Sequence, residues 1–150
     1  MKSLTKFVQE MLVNKNIKHN YFPETKEELQ DIIKQRIEQE GNEVDLNDID
    51  VSKITDMSQL FENTNFNGNI LDWDVSNVKN MGFLFSGLLD FNGNVSNWDV
   101  SNVVDMRYMF YECLKFNQDI SNWDVSNVKN MTNIFRGCQI EEKYKPNFIC

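Results

Sequence analysis

The apolar positions between residues 45 and 138 recur with a fixed period. Trp73, Trp98 and Trp123 stand 25 residues apart, and equivalent valines, methionines and phenylalanines keep the same step. An earlier copy ends at Phe61, and the gap from there to Phe66 is one residue shorter than its later counterparts. A period of this length is typical of repeat proteins, in which stacked copies bury one shared core. The sequence therefore predicts about four copies, with a single-residue deletion in a loop of the first.

Within one copy the hydrophobic pattern changes from a strand-like to a helix-like period. Val128, Met131, Ile134 and Phe135 follow the spacing of one face of a two-turn helix, and the Ser-Asn pair before them can cap it. The preceding I-x-x-W-x-V pattern ends in the alternation of a short strand. These patterns predict an α/β repeat solenoid. It would be leucine-rich-repeat-like, with about four strand-plus-short-helix rungs of about 25 residues, capped by N-terminal helices.

The first 44 residues lie outside the repeat. Leu4, Phe7 and Met11 predict an amphipathic helix. Thr25 with a glutamate three residues later predicts the start of a second helix, and Gly41 predicts its end. The predicted organisation is an N-terminal amphipathic helix at 1–20, a capping helix at 21–44, the repeat solenoid at 45–138 and a C-terminal cap at 139–150.

Composition narrows the possible functions. The chain has a formal net charge of -8, is 41% hydrophobic and contains one histidine, His19. Binding to a nucleic-acid backbone is disfavoured, because it requires clustered cationic side chains. No apolar run is long enough to span a bilayer, and the N-terminus does not resemble a secretory signal peptide. Without a signal peptide on this chain, a cytoplasmic or virion-associated location is favoured over the cell surface.

One aspartate of each copy is the sharpest candidate for a binding site. If the strand prediction holds, these carboxylates project at neighbouring places about 5 Å apart, where like charges repel by roughly 1 kcal/mol in water. Hydrogen bonding at turns or helix ends is the favoured interpretation, followed by an acidic strip facing a partner, and then by a bound cation such as calcium. The predicted strip consists of Asp50, Asp74, Asp99 and Asp124 with the companion positions Asp48, Asp72, Asn97 and Asn122.

The large repeated apolar side chains predict a core ladder. The tryptophans could instead form an exposed platform for sugars or bases, but the I-x-x-W-x-V pattern favours an inward position. Cys113 and Cys138 fall at equivalent positions, where free thiols are favoured over a disulfide because an earlier copy has Leu88 there. The predicted ladder consists of Trp73, Trp98, Trp123, Met81, Met106, Met131, Phe85, Phe110 and Phe135.

Catalytic chemistry has little support in the sequence. The single histidine leaves no Ser-His-Asp or Cys-His combination, and there is no P-loop, no GxGxxG and no CxxC pair with metal-ligand spacing. We therefore expect no catalytic residues, no metal site and no cofactor. Calcium is the one ion that the acidic strip leaves open.

The sequence "FNQDISNWDVSNVKNMTNIF" at 116–135 resembles the repeat of the BspA-like leucine-rich-repeat surface proteins. The resemblance covers roughly residues 45 to 145 and implies a solenoid that binds proteins or matrix and carries no catalytic residues. Family members usually have a signal peptide, many more repeats and an anchoring region, which are not seen here. The start "MKSLTKFVQEML" is similar instead to short N-termini of proteins packaged into tailed-phage heads.

The leading functional hypothesis is a non-enzymatic protein-interaction module with a protein partner. The alternatives are a structural or packaged component of a tailed-phage particle, and an adhesin fragment that binds matrix protein or carbohydrate. The oligomeric state is open at this point.

Overall fold

The computed structural model describes residues 18–148. The predicted first helix lies almost wholly outside these residues. α1 spans Lys26–Glu40 and a single 3-10 turn spans Glu142–Tyr144. Thr25 is the N-cap of α1, its hydroxyl accepting a hydrogen bond from the Glu28 backbone amide, and the helix ends at Gly41. The signals that the sequence carried for both ends of this helix are therefore correct.

Between α1 and the 3-10 turn, the described chain contains neither a helix nor an extended strand. It consists of turns that are joined by isolated parallel bridges of single residue pairs. The predicted α/β, leucine-rich-repeat-like solenoid of strand-plus-short-helix rungs is therefore wrong. Four turn-rich copies lie side by side instead, and we number them first (45–68), second (69–93), third (94–118) and fourth (119–138). The bridges are Tyr21–Ile49, Asp45–Asn69, Asp56–Asn80, Asn80–Asp105 and Asp105–Asn130.

Asparagine and aspartate side chains organise the turns. Asp50 Oδ1 accepts a hydrogen bond from the Ser52 amide at 3.0 Å, and the Ile54 amide donates back to the Val51 carbonyl at 2.9 Å. The same pair of bonds follows Asp45 and Asp56 in the first copy. Three side-chain-capped turns thus form each copy, a use of Asx residues that competes with regular secondary structure.

The segment predicted to be a helix directs alternate amides to the next copy. In the second copy, Met81, Phe83 and Phe85 donate to the carbonyls of Asp105, Arg107 and Met109 at 2.8, 2.9 and 3.0 Å. An α-helix would need these amides for carbonyls four residues earlier in the same segment. Because these hydrogen bonds run between copies and not within the segment, the segment cannot be a helix.

Left-handed backbone at two positions of each copy also excludes the predicted helix. Phe83 has φ 58° and Gly87 has φ 76°, whereas a right-handed helix needs φ near -63°. The equivalent residues of the other copies also have positive φ. At the second of the two positions, two of the four copies have glycine, which adopts this conformation without strain. The two sets are Gln59, Phe83, Tyr108 and Asn133, and Asn63, Gly87, Glu112 and Gly137.

The core runs through the stack as columns of identical side chains. Phe61, Phe85, Phe110 and Phe135 have successive ring centroids 5.8, 5.4 and 5.7 Å apart. Each tryptophan indole also donates to a carbonyl of the preceding copy, as Trp98 Nε1 does to Ile70 O at 3.1 Å. The copies are therefore held together by apolar packing inside and by hydrogen bonds between neighbours.

α1 closes the N-terminal end of this core. Leu29 and Ile33 are fully buried in the same apolar cluster as the first copy. Arg36 is also buried and donates to both carboxylate oxygens of Asp48, at 2.9 and 3.1 Å, and to the carbonyl of Asp45. The opposite end is covered by the segment around Tyr144, whose carbonyl accepts from Ile120.

Candidate functional site

The acidic column is the row of equivalent carboxylates Asp50, Asp74, Asp99 and Asp124. Each accepts a hydrogen bond from the amide of the serine two residues later, at 3.0 to 3.1 Å. In the later three copies the serine hydroxyl donates to the same oxygen at 2.6 Å. The folding role of these residues is thus to close a turn in each copy, which the sequence had favoured.

The other two Asx rows show that closing such a turn does not require a charge. One row contains Asn69 and Asn94 between two aspartates, and the other alternates aspartate with Asn80 and Asn130. These asparagines accept the same amide bond, as Asn94 does from Ser96 at 3.0 Å. The acidic column is aspartate in all four copies, so its charge is additional to what the turn needs. The two other rows are Asp45, Asn69, Asn94 and Asp119, and Asp56, Asn80, Asp105 and Asn130.

Three carboxyl groups of the column have a lowered pKa. Hydrogen bonds from the side chain and the backbone of the following serine hold the pKa of Asp50, Asp99 and Asp124 below the ordinary aspartate value. For Asp99 the neighbouring Asp124 charge acts weakly in the opposite direction. Asp74, Asp99 and Asp124 are exposed, and Asp50 is partly buried. The column thus places one formally negative side chain on each of the four copies.

The companion positions do not form a second continuous row. Asp48 is held by Arg36 and by Asn20 Nδ2 at 3.0 Å, so its carboxylate belongs to the packing of α1. Asp72, Asn97 and Asn122 are exposed. Of the eight predicted strip residues, four therefore form the acidic column and three are exposed polar residues beside it in sequence. The eighth, Asp48, is directed towards α1.

Burial separates the predicted core ladder from solvent. Trp73, Trp98 and Trp123 are 4%, 4% and 5% exposed, which leaves no ring face for a sugar or base. Met81, Met106, Phe85 and Phe110 are fully buried. Met131 and Phe135, in the fourth copy, are partly buried and pack against the same cluster. The tryptophan platform considered from the sequence is therefore wrong.

The two described cysteines are free thiols. Burial raises the pKa of Cys113 to about 12, and burial also raises the pKa of Cys138. The Cys113 thiol donates to the Phe85 carbonyl at 2.9 Å. A thiol that is protonated at neutral pH and bonded in the core is a poor nucleophile.

Two further observations concern the described part of the chain. No three histidine, cysteine, aspartate or glutamate side chains of residues 18–148 converge in a way that could hold a metal ion. None of the helices in that range has the length and apolar character needed to cross a membrane.

Sequence reasoning missed several surface residues of the second and third copies. Phe83 and Tyr108 stack with ring centroids 4.8 Å apart, and Leu89 and Leu114 are large exposed apolar side chains. A signal was available, since the corresponding positions of the first and fourth copies carry polar residues. Arg36 was missed because nothing in a helical pattern shows which charged side chain will be buried.

Comparisons with known proteins give a family and no function. No curated protein and no solved structure matches the chain. A family model with the description "Mycoplasma protein of unknown function, DUF285" matches residues 27–147, which covers all four copies and α1 except its first residue. The chain belongs to this family.

Proposed function

We propose that the protein is a non-enzymatic interaction module that binds a basic polypeptide segment along the acidic column. One observation carries the proposal: the column is aspartate in every copy, although asparagine closes the same turn elsewhere in the chain. The chain resembles BspA-like surface repeats. This resemblance implies binding to proteins and so supports the same class of function. No reaction is proposed, and calcium has no part in the proposal.

The spacing of the column fits an extended peptide. Equivalent aromatic rings in the core of successive copies lie 5.4 to 6.3 Å apart, and we expect the carboxylates to recur at a similar step. Alternate residues on one face of a β-strand are about 6.6 Å apart. A strand with lysine at every second residue can therefore pair each cation with one carboxylate, because the long lysine side chain absorbs the remaining mismatch. Such charge matching contributes mainly specificity and association rate.

The test measures binding of a labelled octapeptide of alternating lysine and threonine by fluorescence anisotropy at low salt. The triple variant Asp74→Asn, Asp99→Asn and Asp124→Asn keeps the turn acceptors and removes three charges. We expect it to weaken binding by about tenfold or more, since several favourable charge contacts are lost. A peptide with its four lysines in one block should bind the wild type more weakly than the alternating peptide.

The matched control is Asp45→Asn, Asp56→Asn and Asp119→Asn. These exposed aspartates also close Asx turns, and replacing them also removes three charges. The control should retain most of the affinity. Equal loss in both triple variants would show that overall charge, rather than the column, attracts the peptide, and would overturn the proposal.

A further inference from the structure

The outer surface of the second and third copies differs from that of the first and fourth. At the first left-handed position the two middle copies carry aromatic rings, and the outer copies carry Gln59 and Asn133. Phe83 and Tyr108 stack with their planes within 4°, and Tyr111 meets Tyr108 edge-on at 5.4 Å. All three rings are partly exposed. The middle of the stack therefore has an aromatic surface that its ends lack.

The fold uses these rings only in part: Tyr108 stacks on Phe83 and its hydroxyl accepts a hydrogen bond from Asn133 Nδ2 at 2.9 Å, but the backbone conformation does not favour aromatic residues at this position. Phe83 and Tyr108 have φ of 58° and 55°, a conformation that costs L-residues roughly 1 to 2 kcal/mol. Asparagine tolerates this conformation better and occupies the same position at residue 133. Strained residues that the fold could replace often mark a functional surface.

An exposed leucine pair follows these aromatic residues in the same two segments of the chain. Leu89 and Leu114 are equivalent and are 51% and 43% exposed. The exposed Gln139, directly after the fourth copy, stands at this position, and the first copy, which is one residue shorter here, has the exposed Asn65. Apolar residues are thus confined to the two middle copies at this position also. We call Phe83, Tyr108, Tyr111, Leu89 and Leu114 the central patch.

The charges beside the leucines are opposite at equivalent positions. Asp90 follows Leu89 and Lys115 follows Leu114, and the two charged groups lie 3.2 Å apart within one chain. Both side chains are about 70% exposed, so this pair contributes little to folding. A twofold axis between the second and third copies would set the second copy of one molecule against the third copy of the other. Each Asp90 would then face the partner's Lys115.

We propose that the central patch is a self-association surface, occupied by a second copy of this chain in a twofold-symmetric dimer. An isologous interface needs a self-complementary surface. The patch meets this condition, because apolar side chains at equivalent positions face each other while opposite charges alternate beside them. Aromatic side chains are also enriched in the cores of protein interfaces. This proposal is independent of the acidic column.

The test is sedimentation velocity over a concentration series. We expect the wild type to dimerise as concentration rises. The variant Leu89→Asn with Leu114→Gln, which installs the polar residues of the outer copies, should raise the dimer dissociation constant about tenfold or more. Its thermal unfolding should match that of the wild type, because both side chains are exposed. Phe22→Asn is the control, since Phe22 is 64% exposed and lies outside the patch, and it should leave the dissociation constant unchanged.

Charge exchange tests the symmetry. Asp90→Lys and Lys115→Asp should each weaken the dimer, because like charges would face each other across the axis twice. The double variant should restore the wild-type dissociation constant. A wild type that stays monomeric, a dimer indifferent to the leucine changes, or single charge variants without effect would each overturn the proposal. The triple asparagine variant of the acidic column should dimerise normally, so failure of either proposal is seen separately.

Discussion

The two ends of the stack are closed in different ways. At the N-terminal end, α1 buries Leu29 and Ile33 completely and fixes Arg36 to Asp48. At the C-terminal end, Met131 and Phe135 are partly buried, although their counterparts in the second and third copies are inaccessible to solvent. In a linear stack each copy is stabilised mainly by its neighbours. The fourth copy therefore keeps the same turns as the others, but part of its core is accessible to solvent because its outer neighbour covers it incompletely.

Replacing phenylalanine by alanine at two positions of the same column should give the largest difference in stability between the middle and the C-terminal end of the stack. Phe110 lies between Phe85 and Phe135 and is stacked on Phe116 at 4.2 Å, whereas Phe135 has a phenylalanine on one side. Phe110→Ala should lower the free energy of unfolding by about 4 kcal/mol, and Phe135→Ala by about 2 kcal/mol or less. Urea denaturation measures both. Equal losses would show that the C-terminal end is as well packed as the middle.

Replacing one cationic side chain at each end of the stack should give the second-largest difference in stability. The guanidinium of Arg36, 10% exposed, pairs with Asp48 and Glu40. Arg36→Ala should lower the free energy of unfolding by about 2 to 3 kcal/mol, because Asp48 would remain partly buried without its partner. Lys145 lies over the Phe135 ring at 5.5 Å at the other end. Lys145→Ala should change stability by less than about 1 kcal/mol. A larger loss from Lys145→Ala than from Arg36→Ala, again in urea, would reverse our ranking of the two ends.

Acid should loosen the N-terminal end through Asp48. Burial alone would raise the pKa of this carboxyl, but hydrogen bonds from Asn20 and Arg36 outweigh it and hold the pKa below the ordinary value. The folded pKa is therefore lower than the unfolded one, which is about 3.9. The stabilisation is complete above that pH and is lost as pH falls through the folded pKa. Urea denaturation at pH 7 and at successively lower pH should show the wild type losing more stability below about pH 4 than Asp48→Asn. Parallel losses in the two proteins would exclude this role.

Amide exchange should show the smallest difference between the ends. Peptides from the fourth copy, 126–138, should exchange faster than those from the third copy, 101–113, because local opening of an end copy separates it from one neighbour and that of a middle copy from two. Mass spectrometry of the exchanging wild type makes the comparison within one sample. Equal protection would mean that the whole stack opens as one cooperative unit.

Much of the stack follows from the sequence. The period, the deletion in the first copy and the inward tryptophans could be predicted, because burial acts on each copy alike. The backbone conformation within a copy could not be predicted, and the expected helix and strand were wrong. The spacing of Val128, Met131 and Ile134 suits a helix, but it suits consecutive three-residue turns equally well. Glycines at the equivalent positions 87 and 137 were a signal of left-handed backbone, yet no propensity predicts that conformation for Phe83 or Tyr108.

The candidate site was predictable in position and not in chemistry. That Asp74 and its equivalents form a row follows from the period. The fold is needed to separate the structural role of these aspartates from their charge. Asn80 and Asn94 accept the same hydrogen bond without carrying a charge. The central patch escaped prediction because an isolated Leu89 or Leu114 in a sequence suggests core, and only the fold places the two side by side at the surface.

The tryptophan bonds have a consequence for how this chain can change length. Trp73, Trp98 and Trp123 each donate to a carbonyl 27 or 28 residues earlier, always in the preceding copy. Duplicating or deleting one whole internal copy would leave every surviving indole an equivalent acceptor in the preceding copy, 27 or 28 residues earlier. Recombination between copies in the gene would therefore yield longer or shorter proteins that fold by the same rules. A single-residue change is tolerated where it falls in a loop, since the deletion between Phe61 and Phe66 shortens the Trp73 offset to 27 residues and leaves its bond intact. Chain length in this architecture can therefore change by whole copies without loss of these hydrogen bonds.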